Sequence, residues 1–426
     1  MKYFSSIIVF LFLLLCLISS DISFAQSDRW DTTSVGTPCI VYDSTDSVFR
    51  MWYAGANEAY KGKIGYAESA DGINWDKDEN NPVFDVGPEG SWDHLGVGYP
   101  SVVIVNDTCH MWYAGLSDPS SVEIGYAIST DGINWTRYEN NPVIRLGSTG
   151  SWEDTWVYAH SVIYKDSAFH MWYTGATGDP VNFVPWKEEI GYATSTDRIN
   201  WTKHPSNPVL KVNTPGKWDD LFVDGPSILF QNDMYHLWYS GASSTVELWQ
   251  IGYATSADGI SWQRNESNPV MSPSGWENPR NQDPNVLFLE DTFHMWYSGG
   301  EIFAWQIGYA TSEDGVNWPK YEGNPVVTDI DDIGNQGDPS EFRLSQNYPN
   351  PFNPSTTIEF TLPKSEFVKL KVFNILGKEV STLVSKKLNQ GNHTYTFDGK
   401  NLASGVYYYR LEAGNFVQTR KMIYLK

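Results

Sequence analysis

From about residue 30 to residue 327 the chain alternates short apolar runs with polar turn signals, without the three- and four-residue spacing of an amphipathic helix. The runs are β-branched and aromatic and are bounded by Gly, Asp and Pro, so they predict strands. One run occurs five times, as Met51-Trp52-Tyr53-Ala54-Gly55, Met111-Trp112-Tyr113-Ala114-Gly115, Met171-Trp172-Tyr173-Thr174-Gly175, Leu237-Trp238-Tyr239-Ser240-Gly241 and Met295-Trp296-Tyr297-Ser298-Gly299, with the tryptophan at intervals of 60, 60, 66 and 58. Each copy is followed by Ile-Gly-Tyr-Ala starting at Ile64, Ile124, Ile190, Ile251 or Ile307. A turn such as Ser69-Ala70-Asp71-Gly72-Ile73-Asn74-Trp75 comes next, and then Asn-Pro-Val at Asn81, Asn141, Asn207, Asn268 and Asn324.

Each unit reads as about four antiparallel strands, a sheet too small to bury both faces alone. Five such sheets arranged radially cover one another, which makes residues 26–327 a five-bladed β-propeller. After a polar linker at 328–342, a second alternating pattern runs through Thr357 to Leu362, Val368 to Phe373, Thr394 to Phe397, Val406 to Leu411 and Val417 to Tyr424. It predicts a small antiparallel β-sandwich over 343–426, so the whole chain is all-β.

Lys2, the apolar run Ile7 to Ile18 and Ser23-Phe24-Ala25 form the charge, core and small-residue cleavage site of a signal peptide over 1–25. Leu14 and Leu15 are bulky for the residues that precede a lipidated cysteine at Cys16. Cys39 and Cys109 are too few to form a disulfide framework or a cysteine metal site. Charge divides the chain in the same place as the strand pattern: residues 26–342 hold 16 Lys and Arg against 45 Asp and Glu, and residues 343–426 hold 12 against 5. So acidic a main domain repels nucleic acid, whereas an uncharged polysaccharide or oligosaccharide is indifferent to it.

Most repeated residues have a structural reading. The turn Asp accepts backbone N–H bonds and the turn Gly supplies positive φ, with Arg198 in its place in the third unit. His110, His170, His236 and His294 share one repeat position and cannot converge on one metal. No cofactor is expected, and Asp329, Asp331 and Asp332 lack the spacing of a calcium loop. A single copy of the chain is expected to suffice.

The informative residues are the ones that break the repeat near the start of each innermost strand. Counting from Trp30, Trp92, Trp152, Trp218 and Trp276, the sixth residue is Gly36, Gly98, Tyr158, Asp224 or Gln282. The seventh is Thr37, Tyr99, Ala159, Gly225 or Asp283, and the eighth is Pro38, Pro100, His160, Pro226 or Pro284. Carboxylates therefore reach the axis from the fourth and fifth units. Trp186, Trp249 and Trp305 lie in loops opening on the same side, and Trp156 joins them from the preceding connection. Exposed rings there would stack on sugar faces.

Five blades with Ser-x-Asp-Gly-x-x-Trp and Asn-Pro-Val resemble the arabinanase, levansucrase and invertase superfamily, including glycoside hydrolase families 32 and 43. The resemblance implies three axial carboxylates, because glycosidic cleavage needs one group to protonate the leaving oxygen and another to attack or to activate water. The first blade departs from that pattern, with Gly36 and Thr37 where an Asp is implied. The expected catalytic set is Asp224 and Asp283 as acid and base, helped by His160 or Arg280, with Glu153 or Asp154 as a loop-borne third acid. Tyr99, Tyr158 and the four loop tryptophans complete a substrate site. Two alternatives stay open: the same carboxylates orient a sugar without breaking it, or the propeller serves protein contacts.

Tyr348-Pro349-Asn350-Pro351-Phe352-Asn353-Pro354, Leu376-Gly377 and Leu402-Ala403-Ser404-Gly405-Val406-Tyr407-Tyr408 resemble the type IX secretion C-terminal sorting domain. That resemblance implies recognition of 343–426 by the secretion machinery, and export by way of the periplasm to the cell surface or beyond.

Overall fold

The computed structural model describes residues 30–328 apart from 58–60, 119–120, 180–183, 246–247 and 302–303, and residues 343–426 apart from 345–346, 348–351, 376, 401 and 415. The expected signal peptide and 329–342 of the expected linker lie outside the described residues. Two compact units are present, Met1–Ile330 and Asp331–Lys426.

The first unit is the five-bladed propeller. In blade one, Ser34–Asp43, Val48–Ala56, Lys63–Ser69 and Asp76–Lys77 pair consecutively and antiparallel. The innermost strands of the other blades are Gly96–Val105, Trp156–Lys165, Phe222–Gln231 and Asn281–Leu289. Two sets of hydrogen bonds close the circle. Nε1 of each strand tryptophan donates to the turn of the next blade: Trp52 to Gly132 O, Trp112 to Arg198 O, Trp172 to Gly259 O, Trp238 to Gly315 O and, closing the ring, Trp296 to Gly72 O. Nearer the axis, Val102 N donates to Cys39 Sγ, Val162 N to Ser101 Oγ, Ile228 N to Ser161 Oγ, Val286 N to Ser227 Oγ and Ile40 N to Asn285 Oδ1. The five tryptophans are fully buried, so each ring bond also satisfies a donor that water cannot reach.

The motif glycines are explained by close approach. A Cβ on Gly55 or Gly65 would lie 2.6 Å or 2.7 Å from the Trp30 ring, which rests on both strands. The acid after that tryptophan anchors each blade: Asp31, Asp93, Glu153, Asp219 and Glu277 accept from Tyr53, Tyr113, Tyr173, Tyr239 and Tyr297. The same acids pair with Lys77, Arg137, Lys203, Arg264 and Lys320. The repeated histidines are equally occupied, each Nδ1 meeting a tyrosine hydroxyl at 2.6–2.7 Å. Cys39 and Cys109 are both free and buried.

Every innermost strand carries a bulge at the axis, where its register to the second strand shifts. The bulged residue is left-handed in all five blades: Thr37 (φ 48), Tyr99 (50), Ala159 (36), Gly225 (54) and Asp283 (51). Four of the five are not glycine, a costly arrangement that re-aims the flanking side chains toward the axis.

The second unit is a sandwich of Arg343–Leu344, Ser355–Leu362 and Gly391–Asp398 against Glu379–Leu388, Glu366–Asn374, Gly405–Ala413 and Phe416–Tyr424. Ile358, Phe360, Leu370, Tyr409 and Met422 are in its core. The strand Glu379–Leu388 has no counterpart in the predicted set. It is an edge strand with only Val384 buried, so it shows no clean alternation.

Arg198 keeps the left-handed turn (φ 75) that glycine adopts in the other blades. The Trp112 bond to its carbonyl is 3.2 Å, against 2.7–2.9 Å elsewhere. Replacing it as Arg198→Gly is expected to stabilise the propeller by ~0.5–1 kcal/mol, read as a higher urea midpoint. An unchanged or lower midpoint contradicts that strain.

Candidate active site

Asp224 and Asp283 follow from the axial bulges. Asp224 is the residue before the bulged Gly225, and Asp283 is itself the bulged residue of its strand. Neighbouring blades fix the bulges through hydroxyls: Gly225 N donates to Thr174 Oγ1 (3.1 Å), Asp283 N to Ser240 Oγ (2.9 Å) and Thr37 N to Ser298 Oγ (2.8 Å). Glycine is required at 225 for space as well as for φ, because a Cβ there would lie 2.8 Å from Ser240 Oγ and 3.1 Å from Asp283 Oδ1.

The third central carboxylate is Glu188, which the sequence analysis missed. Its backbone bridges to Phe222 in parallel, two residues before Asp224, and its side chain is fully buried. Trp186 Nε1 donates to Glu188 Oε1 at 2.6 Å, and Tyr158 Oη donates to Asp224 Oδ2 at 3.4 Å. The signal was present in the repeat. Two residues before Ile-Gly-Tyr the five units read Gly62, Val122, Glu188, Trp249 and Trp305, with a single acid among them.

Burial governs the electrostatics. It pushes the Asp283 carboxyl up to about 6, opposed by the Gln282 hydrogen bond (3.0 Å), Ser298 and the Arg280 charge. Asp224 is held well above the usual carboxylate range by burial first, then by the charges of Glu188 and Asp283. Glu188 is also raised by burial, which outweighs its bonds from Trp186 and Tyr158, and the Asp283 charge adds to the rise. Tyr99 and Tyr158 are raised for the same reason, and their rings meet edge to face at 5.2 Å. Asp283 therefore ionises at lower pH than Asp224, and its charge helps the Glu188–Asp224 pair to keep a proton.

The other predicted residues sort differently. Glu153 is committed to the repeated blade anchor with Tyr173 (2.8 Å) and Lys203 (2.9 Å), and Asp154 caps its own loop by accepting from Gly150 N (2.7 Å). The acid that lies beside Asp224 instead is Glu188, from the strand Val184–Ser195. The tryptophans are not exposed platforms, since Trp156, Trp186, Trp249 and Trp305 are at most 9% exposed. Trp186 packs on Trp156 at 4.7 Å, and Trp249 stacks on Phe222 at 5.0 Å with the Arg280 guanidinium over it at 5.5 Å. Nor do they lie in loops: Trp156, Trp186 and Trp305 belong to the strands Trp156–Lys165, Val184–Ser195 and Ala304–Ser312, and Trp249 bridges to Arg280, so their rings gain more by closing over one another than by facing water. Trp156 and Trp305, with Tyr99 and Tyr158, line a cavity of about 80 Å³. His160 and Asp283, again with Tyr99, line a second cavity of about 40 Å³ on the axis.

Residues 346–425 match the family described as the secretion system C-terminal sorting domain, which marks the chain for export to the cell surface or beyond. An uncharacterised protein of Mycobacterium tuberculosis is 24% identical over 295 residues, 67% of this chain and 94% of its own. Among solved structures, a glycosyl hydrolase from Bacteroides ovatus is 15% identical with a TM-score of 0.55, covering 68% of this chain and 88% of its own. A structure from the GH130 family of mannoside phosphorylases, which contains hydrolases of β-1,2-mannosidic linkages, is 16% identical with a TM-score of 0.54 and the same coverage. These likenesses bear out the propeller fold and do not single out families 32 and 43.

An acid with a raised folded pKa contributes stability that is present below its unfolded value near 4 and lost as pH rises through the folded value. Relative to wild type, Asp283→Asn is therefore expected to gain stability between pH 4 and about 7, the window set by the rise to about 6, the pH-dependent part reaching roughly 2–3 kcal/mol. Chemical denaturation of both forms across that range measures it. A difference independent of pH contradicts the assigned ionisation.

Proposed function

We propose that the chain is an exported carbohydrate-active protein whose propeller cleaves glycosidic bonds in extracellular polysaccharide or oligosaccharide. The observation that carries this reading is that three buried carboxylates from consecutive blades, Glu188, Asp224 and Asp283, have unlike hydrogen-bond partners in Trp186, Tyr158 and Gln282. Glycosidic cleavage needs a proton donor and an ionised base within one site, and environments that push neighbouring pKa values apart supply both at one pH. Asp283 serves as base, Asp224 as acid, and Glu188 holds the shared proton near Asp224. The apolar walls of the larger cavity, Trp156, Tyr158 and Trp305, suit a pyranose face. The tail, in this reading, is recognised by the type IX machinery after passage through the periplasm.

A second reading, glycan binding without cleavage, is favoured by the complete burial of Glu188 and by the closed packing of Trp186 and Trp249. A glycan array with product analysis on the purified chain separates the two. Cleavage predicts new reducing ends or a transferred glycosyl group, and loss of at least ~10²-fold in kcat/KM for Asp224→Asn and for Asp283→Asn with glycan affinity retained. Asp154→Asn is expected to leave turnover within a few-fold. The pH profile of kcat/KM should rise through about 6 as Asp283 ionises and fall at higher pH as the Glu188–Asp224 proton is lost. Binding without product supports the second reading, and unchanged turnover in both Asn variants removes these residues from the chemistry.

A further inference from the structure

The smaller axial cavity has a wall that the repeat does not explain. At the eighth position after the closing tryptophan, four blades present Pro38, Pro100, Pro226 and Pro284, and the third presents His160. A proline offers no side-chain hydrogen bond, so His160 is the one member of this ring able to donate or accept. It is 7% exposed, and among the described residues neither of its ring nitrogens has a hydrogen-bond partner of normal geometry. Thr37, 5% exposed on the same wall, has an Oγ1 in the same condition, and Asp283, 6% exposed, faces the cavity from the fifth blade.

Buried polar atoms left without partners are costly, and native interiors satisfy them with protein groups or with ordered water. A cavity of about 40 Å³ has room for roughly two to four waters, each needing about 10–15 Å³ and two to four polar contacts. The His160 ring nitrogens, the Thr37 hydroxyl and the Asp283 carboxylate stand around it, and waters in file supply one another's remaining contacts. The chemistry of the lining suits water: Thr37 and His160 bring uncharged polar atoms, and Asp283 brings an acceptor.

We infer that this cavity holds a short file of ordered waters linking His160 and Thr37 to Asp283, which makes His160 a positioning residue for the Asp283 carboxylate. Burial pushes the imidazole down to about 4, opposed by its contact with the Trp112 backbone, so the ring is neutral wherever Asp283 is ionised and has at least one nitrogen left for the file. Waters held at the far side of the carboxylate favour its charged form and limit how far burial raises it. The other groups facing Asp283 are Arg280, Gln282 and Ser298, with the charges of Glu188 and Asp224 and the Tyr99 phenol beyond it. The water file stands on geometry alone. Its bearing on turnover rests on the function proposed above.

Two variants of the full chain and one structure test it. His160→Pro installs the residue that the other four blades carry, and His160→Gln keeps a donor and an acceptor. The readout is the pH at which the stability difference between the Asp283 and Asp283→Asn forms develops, measured in each background. With His160→Pro that midpoint is expected to move up by roughly one pH unit, and with His160→Gln to stay close to the wild-type value. An unmoved midpoint in His160→Pro overturns the positioning role. A crystal structure of the wild-type chain at a resolution that orders solvent is expected to show two or more waters between the imidazole and Asp283, and a dry cavity or a bound ion there overturns the file itself. If the midpoint moves but turnover does not respond to Asp283→Asn, the water file stands and the catalytic reading fails.

Discussion

The propeller depends on one backbone constraint, the left-handed bulge that every innermost strand makes at the axis. A regular strand would send alternate side chains into the faces of its own blade, and none would gather at the centre. By turning Thr37, Tyr99, Ala159, Gly225 and Asp283 through positive φ, the fold redirects one pair of positions per blade toward its neighbours. The strain is held in place from outside. The circle of bonds onto Cys39, Ser101, Ser161, Ser227 and Asn285 ties each strand to the next just past the bulge. The second circle, from the strand tryptophans, ties the same blades at the turn beyond their third strands. Because both circles close between blade five and blade one, the axis is over-determined.

That rigidity is what allows three carboxylates to be buried together. Isolated acids in so dry a setting would stay protonated, and three ionised acids would repel one another. The arrangement resolves this unequally. Asp283 is supported by Gln282, Ser298 and Arg280 and ionises first, whereas Asp224 and Glu188 lean on Tyr158 and Trp186 and retain a proton. The asymmetry comes from which blade supplies which neighbour, so it is a product of breaking the five-fold repeat at chosen positions.

The repeat itself was fully legible. Five aromatic strands, five turns and five Asn-Pro-Val segments gave the architecture, and counting from the closing tryptophan located Asp224, Asp283 and His160. Glu188 escaped because the count was anchored on the innermost strand, while this acid enters from the third strand and meets Asp224 through the single bridge to Phe222. Glu153 has a shared role that the repeat already carries: an acid follows each closing tryptophan, as Asp31, Asp93, Asp219 and Glu277 do in the other blades, and the structure adds the partner tyrosines that make it an anchor. The tryptophans illustrate the limit of composition. Their absence from the repeat suggested ligand contact, but whether a ring lies open or folds onto Trp156 or Phe222 is decided by packing across blades.

The central claim is that three adjacent buried carboxyls ionise at different pH values. Carbon-13 NMR titration of the side-chain carboxyls, assigned through Glu188→Gln, Asp224→Asn and Asp283→Asn, reads it directly. The account predicts that Asp283 titrates near 6 while the Glu188–Asp224 pair still holds a proton. Three carboxyls titrating together in the ordinary range near 4 would contradict it.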